Sequence, residues 1–437
     1  MVIHSFRGGI HPVAHGKERQ DDFLPVREAA PPRLAAIFLS QGVGAPCKPL
    51  VKAGQRVLMG EKIGEPAGFV GAPIHSPVSG QVKGMEVRPN AAGRTSEAIV
   101  IENDGLDEMC ESLAPIDNPL EAPAEELLLR IREAGIVGMG GAGFPTQVKL
   151  TVPRDKQVDV LILNGAECEP YLSGDHRLMV EAPHDIRMGA QIAAHILGAK
   201  TVYIGVEANK PQGISALRAA VQGTEMGIYS LRTRYPQGGE KQLIYALTGR
   251  KVPSGSLPMD VGCVVLNVST AKAICDAVVK GERLLRRVIT VTGEVAAPAN
   301  LYARIGTPVG ELLEACGGAL ETADRLILGG PMMGMPAFDL NTPVAKTTGG
   351  IVLLPLEKKA ARSNCIRCAR CVEACPMGLM PTRIARYSDK GMFAEAQAAH
   401  ALDCIECGCC AYVCPAHLPL TQSIRAAKRE LARRKGR

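Results

Sequence analysis

The run Cys365-x2-Cys368-x2-Cys371-x3-Cys375-Pro376 recurs as Cys404-x2-Cys407-x2-Cys410-x3-Cys414-Pro415, an internal duplication at a spacing of 39 residues. No other feature restricts the folding of this chain as strongly. Three thiolates at two-residue gaps wrap three irons of a cubane iron–sulfur cluster. The fourth cysteine, followed by proline, leaves on another heading and, where two clusters are present, ligates the other cube. By that rule Cys365, Cys368, Cys371 and Cys414 hold one 4Fe–4S cluster, and Cys404, Cys407, Cys410 and Cys375 hold the second. Zinc sites use C-x2-C pairs separated by a long gap, and a triplet plus Cys-Pro, twice, fits them poorly. Cys409 lies inside the second motif but off its spacing and is assigned no ligand role. Cys47, Cys110, Cys168, Cys263, Cys275 and Cys316 are scattered and read as buried small hydrophobes.

Composition narrows the class. The chain has 437 residues, enough for two to four domains, and 46% of them are hydrophobic. There is no tryptophan and aromatics make up 3%, so the stacking platforms of single-stranded nucleic-acid binders are missing. A net charge of +6 is too mild to argue for nucleic acid. No apolar run reaches the ~18 residues of a membrane span, and the N-terminus lacks the apolar core of a signal peptide. The cysteines are therefore expected in a reducing cytosol, where they bind metal or do redox work more often than they form disulfides.

Residues 1–125 are rich in Gly, Pro and short β-like runs and read as a small all-β domain. AEELLLRIREAGI then forms an amphipathic helix ending near Gly135. Residues 126–285 alternate strand and helix patterns: VDVLILN, a helical stretch broken at Pro183, TVYIGVEA, ISALRAAVQG, EKQLIYALTGR, VGCVVLNVS and TAKAICDAVVKG. That order implies a mostly parallel sheet with helices on its faces. Residues 286–345 return to strands with one helix, an α+β module. GGPMMGMP and TTGGIVLLP read as ordered glycine turns. Residues 346–437 form a helical, cysteine-rich module with a basic tail.

GMGGAGFPTQVK, beginning at Gly138, matches G-x-G-x-x-G at Gly138, Gly140 and Gly143. It follows a helix rather than a strand, the wrong context for a dinucleotide turn. It reads either as a packed glycine turn or as a backbone cradle for a phosphate or flat ring, with Lys149 as countercharge. NGAECEPYLSGDHR follows the strand VDVLIL and so lies at the C-terminal edge of the sheet, where open α/β folds bind ligands. There Asn164, Glu167 and Glu169 could accept hydrogen bonds from ribose or amide groups, or the loop could serve only to cap a helix at Asp175. GGEK and LNVST fall at two more strand-to-helix turns.

GMGGAGFPTQVK, NGAECEP, QGGEK and LNVSTAK resemble the FMN- and NADH-binding motifs of the complex I flavoprotein subunit. With FRGGIHP, the glycine-rich β domain and the duplicated ferredoxin motif added, nearly the whole chain resembles the RnfC family, the C-type subunits of the Rnf ion-translocating electron transport complex. The resemblance implies a multidomain α/β fold: an N-terminal barrel-sandwich hybrid domain, a central Rossmann-like FMN/NADH domain, a β-grasp domain of the soluble ligand-binding kind, and a C-terminal two-cluster ferredoxin-like module. It implies that Gly138, Gly140, Gly141, Gly143 and Lys149 line FMN and nucleotide, and that Phe144 stacks on adenine. Asn164 and Glu167 would contact flavin or nicotinamide, Gly239 and Glu240 would sit beside the flavin, and Asn267 and Thr270 would lie near its phosphate. In complex I proteins a second acid follows the first; here Lys241 follows Glu240.

The implied function is an electron-input subunit at the cytoplasmic face of a bacterial cell membrane. NAD(H) exchanges a hydride with FMN and electrons pass singly through the two clusters. A flavin is physically required, because hydride carries two electrons and each cluster takes one. No acid–base residue is needed. The implied partners are membrane-embedded and ferredoxin-like subunits of the complex. A soluble cobalamin-reductase-like protein is the alternative enzyme, and a relay with clusters but no nucleotide site is the alternative outside enzymes. The tail QSIRAAKRELARRKGR reads as a solvated helix end or as a dock for an acidic partner or anionic lipid.

Overall fold

Short apolar runs cut by Gly and Pro cannot propagate a helix. In the computed structural model, which describes residues 3–12, 24–91, 93–357 and 360–435, residues 34–103 accordingly form two antiparallel sheets. One has the strand order Leu34–Phe38, Thr95–Asn103, Gly80–Pro89, Arg56–Val57, and the other Cys47–Pro49, Lys62–Pro66, Ile74–His75. Ile37, Val57, Ile63, Ile74, Val82, Ile99 and Ile101 make their common core.

Helix Ala124–Glu133 leads into the central domain, and Gly135 ends it at φ 72°. Four parallel strands follow in the order Gly227–Leu231, Thr201–Glu207, Val160–Gly165, Cys263–Asn267. The chain starts on Val160–Gly165, moves outward twice, then returns to pair Cys263–Asn267 on its other side. The gap between Val160–Gly165 and Cys263–Asn267 is thus the topological switch point, where such sheets open a crevice at their C-terminal ends. Asn164 and Asn267 face each other across it, in register. The helical stretch broken at Pro183 is two helices, Gly174–Glu181 and Pro183–Leu197. Helix Pro183–Leu197 packs on Val268–Val279 so closely that a Cβ at Gly189 would lie 1.7 Å from the Ala271 carbonyl oxygen.

The third sheet has six strands, in the order Arg27–Glu28, Ala299–Arg304, Arg286–Gly293, Gly350–Pro355, Ala323–Leu328, Met335–Ala337. Two readings change here. TTGGIVLLP is not a turn: Gly350–Pro355 is a buried strand pairing in parallel with Arg286–Gly293 and antiparallel with Ala323–Leu328. GGPMMGMP turns at 329–334 and then enters the edge strand Met335–Ala337. The sheet therefore runs past the expected boundary at residue 345, since removing Gly350–Pro355 would split it.

The cysteine module packs helices Pro381–Asp389, Phe393–Ala398 and Leu420–Lys435 around Leu379, Ile384, Ala396, Ile424, Ala427 and Leu431. Its duplication extends to backbone handedness. Arg367 and Glu406 both have φ 58°, Ala369 and Gly408 have 61° and 80°, and Gly378 and His417 have 65° and 50°. The described tail is the amphipathic helix Leu420–Lys435. Its Arg425 and Lys428 pair with Glu406, and Arg433 and Arg434 with Glu430. Gly436 and Arg437 lie outside the described residues.

FRGGIHP does not join the barrel. His4 bridges in parallel to Leu231, Ile10 pairs antiparallel with Tyr235, and the Gly9 N–H donates to the Ala374 carbonyl (2.9 Å). The segment extends the central sheet and fastens it to the cysteine module. Among the described residues no helix is long and apolar enough to cross a membrane.

Gly189→Leu is expected to destabilise the chain by about 1–3 kcal/mol through overpacking. Gly68→Ala, where a Cβ meets nothing within 4 Å, should stay within about 0.5 kcal/mol of the parent. Thermal unfolding of the two variants checks the contrast.

Candidate functional site

The glycine loop is closed at its base by the Gly138 N–H donating to the Phe144 carbonyl (2.9 Å) and by the Val137–Pro145 bridge. Both backbone groups of Met139 are clamped: its N–H donates to Thr270 Oγ1 (3.0 Å) and its carbonyl accepts from Arg287 Nη1 (3.1 Å). Arg287 is buried, which lowers its pKa to about 10, and it also donates to the Lys346 carbonyl. A Cβ at Gly140 would fall 2.7 Å from Asn267 Nδ2, so only glycine lets the loop lie on that side chain. Gly141 faces open space. Gly143 instead packs on the barrel: Gly42 Cα would be 2.8 Å from its Cβ, and its carbonyl accepts from the Val43 N–H. Thr270 and Asn267 thus orient the loop, Gly140 and Gly141 form its exposed rim, and Phe144 is 36% exposed beside them.

Asn267 caps helix Val268–Val279 by accepting from the Ser269 N–H (2.9 Å), and its Nδ2 donates to Asp175 Oδ2 (2.6 Å). Asn164 Nδ2 donates to the Gly238 carbonyl (2.9 Å), tying the first strand to the GGEK turn. Gly239 is the N-cap of helix Glu240–Thr248. Glu240 pairs with Lys149 at 2.7 Å, both side chains partly exposed. Two helix N-termini, a lysine and a glycine-loop backbone therefore converge on one crevice, a donor set suited to a phosphate group.

The acidic loop behaves differently from the reading that caps its helix at Asp175. Glu167 is the cap: its oxygens accept from the Asp175 and His176 N–H groups at 2.9 and 3.1 Å. Asp175 binds Asn267 and Ser269 instead. Glu169 reaches the third domain, accepting from the Met332 and Met333 N–H groups at 3.0 and 2.8 Å. Burial raises both Glu167 and Glu169 to about 7, against the hydrogen bonds that favour their charged forms.

Cys375, Cys404, Cys407 and Cys410 line one cavity, with Ile405, Leu379, Thr421 and Ile424 among its walls. The Leu379 N–H faces Cys375 Sγ and the Glu406 N–H faces Cys404 Sγ, each at 3.4 Å. A cysteine from the first motif thus joins three from the second, the crossing a cubane would use, with N–H···S bonds to support thiolate charge. In the other set, Cys371 packs with Cys414, while Cys365 and Cys368 are exposed. Cys409 also lines the cavity, beside Cys407, with its Sγ 3.9 Å from the Tyr235 carbonyl oxygen.

This cavity adjoins the crevice. Gln242, on the helix that Gly239 caps, donates to the Pro376 carbonyl at 3.3 Å. Tyr235 Oη donates to the Cys407 carbonyl at 2.8 Å, and the Gly238 N–H faces Cys168 Sγ at 3.4 Å. Cys168 packs with Tyr235, Ala374, Cys407 and Cys409. Sequence reasoning missed Arg287, Tyr235 and the clamping role of Asp175. Arg287 sits in an ordinary strand pattern, and only Tyr235's place before a GG turn hinted at a role.

In the fold, the Glu169 carboxyl binds protons up to about pH 7, whereas its ordinary value is 4.5. Between those values the folded chain holds more protons there than the unfolded chain does, so this group's contribution to stability falls as pH rises through the window. Glu169→Gln is therefore expected to flatten the decline of Tm from pH 5 to about 7. An unchanged slope would refute the assignment.

Four families match, one per part of the chain. They are the RnfC barrel sandwich hybrid domain over residues 4–106, the Nuo51 FMN-binding domain over 131–276, the SLBB domain over 288–336, and the 4Fe-4S dicluster domain over 364–418. The matches imply FMN and two 4Fe–4S clusters. The NAD+-reducing [NiFe]-hydrogenase in its H2-reduced state shares the fold at TM-score 0.54 and 22% identity, over 74% of this chain and 68% of that one. The C subunit of the Na(+)-translocating ferredoxin:NAD(+) oxidoreductase complex of Acetobacterium woodii is 46% identical, over 99% of this chain and 98% of that protein. The proton-translocating counterpart of Clostridium ljungdahlii is 44% identical, over 92% and 88%. With the barrel, the flavin domain, the β-grasp sheet and the paired cysteine motifs in one chain, the protein belongs to the RnfC family, the C-type subunits of the Rnf ion-translocating ferredoxin:NAD+ oxidoreductase complex.

Proposed function

We propose that this chain passes electrons between NAD(H) and ferredoxin-linked carriers, with the crevice at the switch point holding FMN. Gly138, Gly140, Gly141, Asn267, Thr270 and the first amides of helix Val268–Val279 would hold the flavin and its phosphate. Asn164 and Gly239 would line it, and Phe144, Lys149 and Glu240 would form the NAD(H) side. The Lys149–Glu240 pair is partly exposed and worth about 0–1 kcal/mol, so an incoming nucleotide displaces it at small cost. Gly143 and Glu167 support the site from behind, on the barrel and at a helix end. A bound flavin supplies the chemistry that couples a two-electron hydride to single electrons. The chain's residues bind and orient, and none is required to move a proton.

The observation that carries this reading is the contact between the two sites: helix Glu240–Thr248 begins at the crevice and bonds Pro376, next to Cys375 of the cysteine-lined cavity. On this reading the set Cys375, Cys404, Cys407 and Cys410 lies nearer the flavin, and the set Cys365, Cys368, Cys371 and Cys414 farther out. As part of the complex the chain would sit peripherally, held by the other subunits. Four basic residues of its last helix are already paired within the chain, which favours the solvated helix end over a lipid dock.

Anaerobically reconstituted chain should carry flavin and iron, and NADH should bleach the flavin. Iron with a flavin that NADH leaves oxidised would instead make the chain a relay. Cys375→Ala is expected to remove one cluster, about half the iron, and leave the Cys365 set intact. Loss of both clusters, read by iron content and electron paramagnetic resonance, would refute the crossed ligand sets.

A further inference from the structure

The duplication brackets one cysteine that the ligand spacing does not use. Cys409 lies between Cys407 and Cys410, and the 39-residue repeat puts Arg370 at the matching place in the first motif. Each of the two opens a short helix, Cys409–Tyr412 in one copy and Arg370–Glu373 in the other. Arg370 is exposed, whereas Cys409 is 0% exposed. Cys409 lines the cavity of Cys375, Cys404, Cys407 and Cys410, and it packs with Tyr235, Ala374 and Cys168. Its thiol donates to the sulfur of Cys407, and the Tyr235 carbonyl oxygen lies 3.9 Å from the same Sγ. One proton thus has two acceptors in reach.

We infer that Cys409 acts through Cys407: its thiol hydrogen-bonds the ligand sulfur and raises the reduction potential of the cluster held by Cys375, Cys404, Cys407 and Cys410. The inference rests on the ligand sets proposed above and adds a residue that sets one cluster apart from the other. A thiol buried in apolar surroundings that ligates nothing keeps its proton and serves as a donor. A cysteine that holds a cubane is a thiolate, and a charged acceptor takes a hydrogen bond in preference to a carbonyl. Reduction adds negative charge to the cluster and its sulfurs, so the bond is stronger in the reduced state. Hydrogen bonds to the sulfurs are among the terms that set such potentials. The site is walled by Tyr235, Ile405 and Ile424, and a poorly polarisable surrounding strengthens the interaction. Arg370 leaves the first motif without this thiol, so removing the Cys409 proton should lower one potential and leave the other in place.

The test is a redox titration of the full chain, anaerobically reconstituted and followed by electron paramagnetic resonance. The signal that Cys375→Ala removes marks the cluster concerned, and the remaining signal is the internal control. In Cys409→Ala the ratio of reduced to oxidised marked cluster at a fixed potential should fall about tenfold, a downward shift of about 59 mV for one electron. The control should not move. Cys409→Ser, which keeps a donor, should stay nearer the parent than the alanine variant. Where alanine costs iron, Cys409→Val fills the space without a donor and should show the same fall. An unmoved midpoint in an iron-replete alanine or valine variant overturns the inference. So does a serine variant that falls as far as alanine, an equal shift of both clusters, or loss of the marked cluster in all three variants, because each makes the role of Cys409 one of packing. Loss of both signals in Cys375→Ala overturns the underlying ligand sets instead.

Discussion

Three parts of this chain are held together at the corner Ala374–Met377. The Ala374 carbonyl accepts from the N-terminal segment at Gly9, and the Pro376 carbonyl accepts from Gln242 of the central domain. Cys375 turns into the cavity of the other cysteine motif. Gly8 is obligatory at this corner: it has φ 83°, and a Cβ there would lie 2.7 Å from the Cys375 carbonyl oxygen. Electron transfer between cofactors depends on short, fixed separations. The corner fixes one from two directions, through the backbone N–H of Gly9 and the side-chain amide of Gln242.

Buried carboxylates serve the same end. Glu167, Glu169 and Asp175 sit where the sheet ends, a usual place for catalytic acids, yet each is engaged by groups of the chain itself. Glu167 holds a helix, Glu169 draws the 329–334 turn of the third domain against the site, and Asp175 orients the cap of helix Val268–Val279. Met332 in that turn reaches Gly408 in the cysteine module. A buried charge or dipole is tolerable only when satisfied, and here satisfying it draws the central domain, the third domain and the cysteine module together at one crevice. This leaves electron transfer, which asks for rigidity rather than for a free acid or base.

Much of this was legible because it rests on local pattern. The duplicated cysteines, the strand–helix alternation from 158 to 280 and the breaks at Gly135 and Pro183 each follow from spacing or from one residue's backbone preference. What was not legible rests on tertiary partners. Gly350–Pro355 reads as a turn because of its leading glycines, and becomes a strand only because Arg286–Gly293 and Ala323–Leu328 leave a gap between them. His4 and the FRGGIHP that follows carry no sign that they would pair with Leu231 and Tyr235, more than 200 residues away. Within the site, Gly138, Gly140 and Gly141 are in the loop as the spacing suggests. Gly143, part of the same motif match, turns toward the barrel, a neighbour that no local motif encodes. Arg287 is one arginine in an alternating strand until its guanidinium is found beneath Met139.

The duplication adds a last physical point. Two copies of a motif with one backbone would hold equivalent clusters if their surroundings were alike, and equivalent sites impose no order on electron passage. Here the surroundings differ. One copy is buried against Tyr235 and the helix Leu420–Lys435, with its acidic turn residue neutralised by Arg425 and Lys428. The other presents to solvent arginines that have no ion-pair partner among the described residues. Fixed charges and burial shift both the potential of an iron–sulfur site and the partners able to reach it. On the function proposed above, the divergence of Arg367 from Glu406, at the same φ of 58°, would distinguish an inner station from an outer one while the backbone turn stays the same.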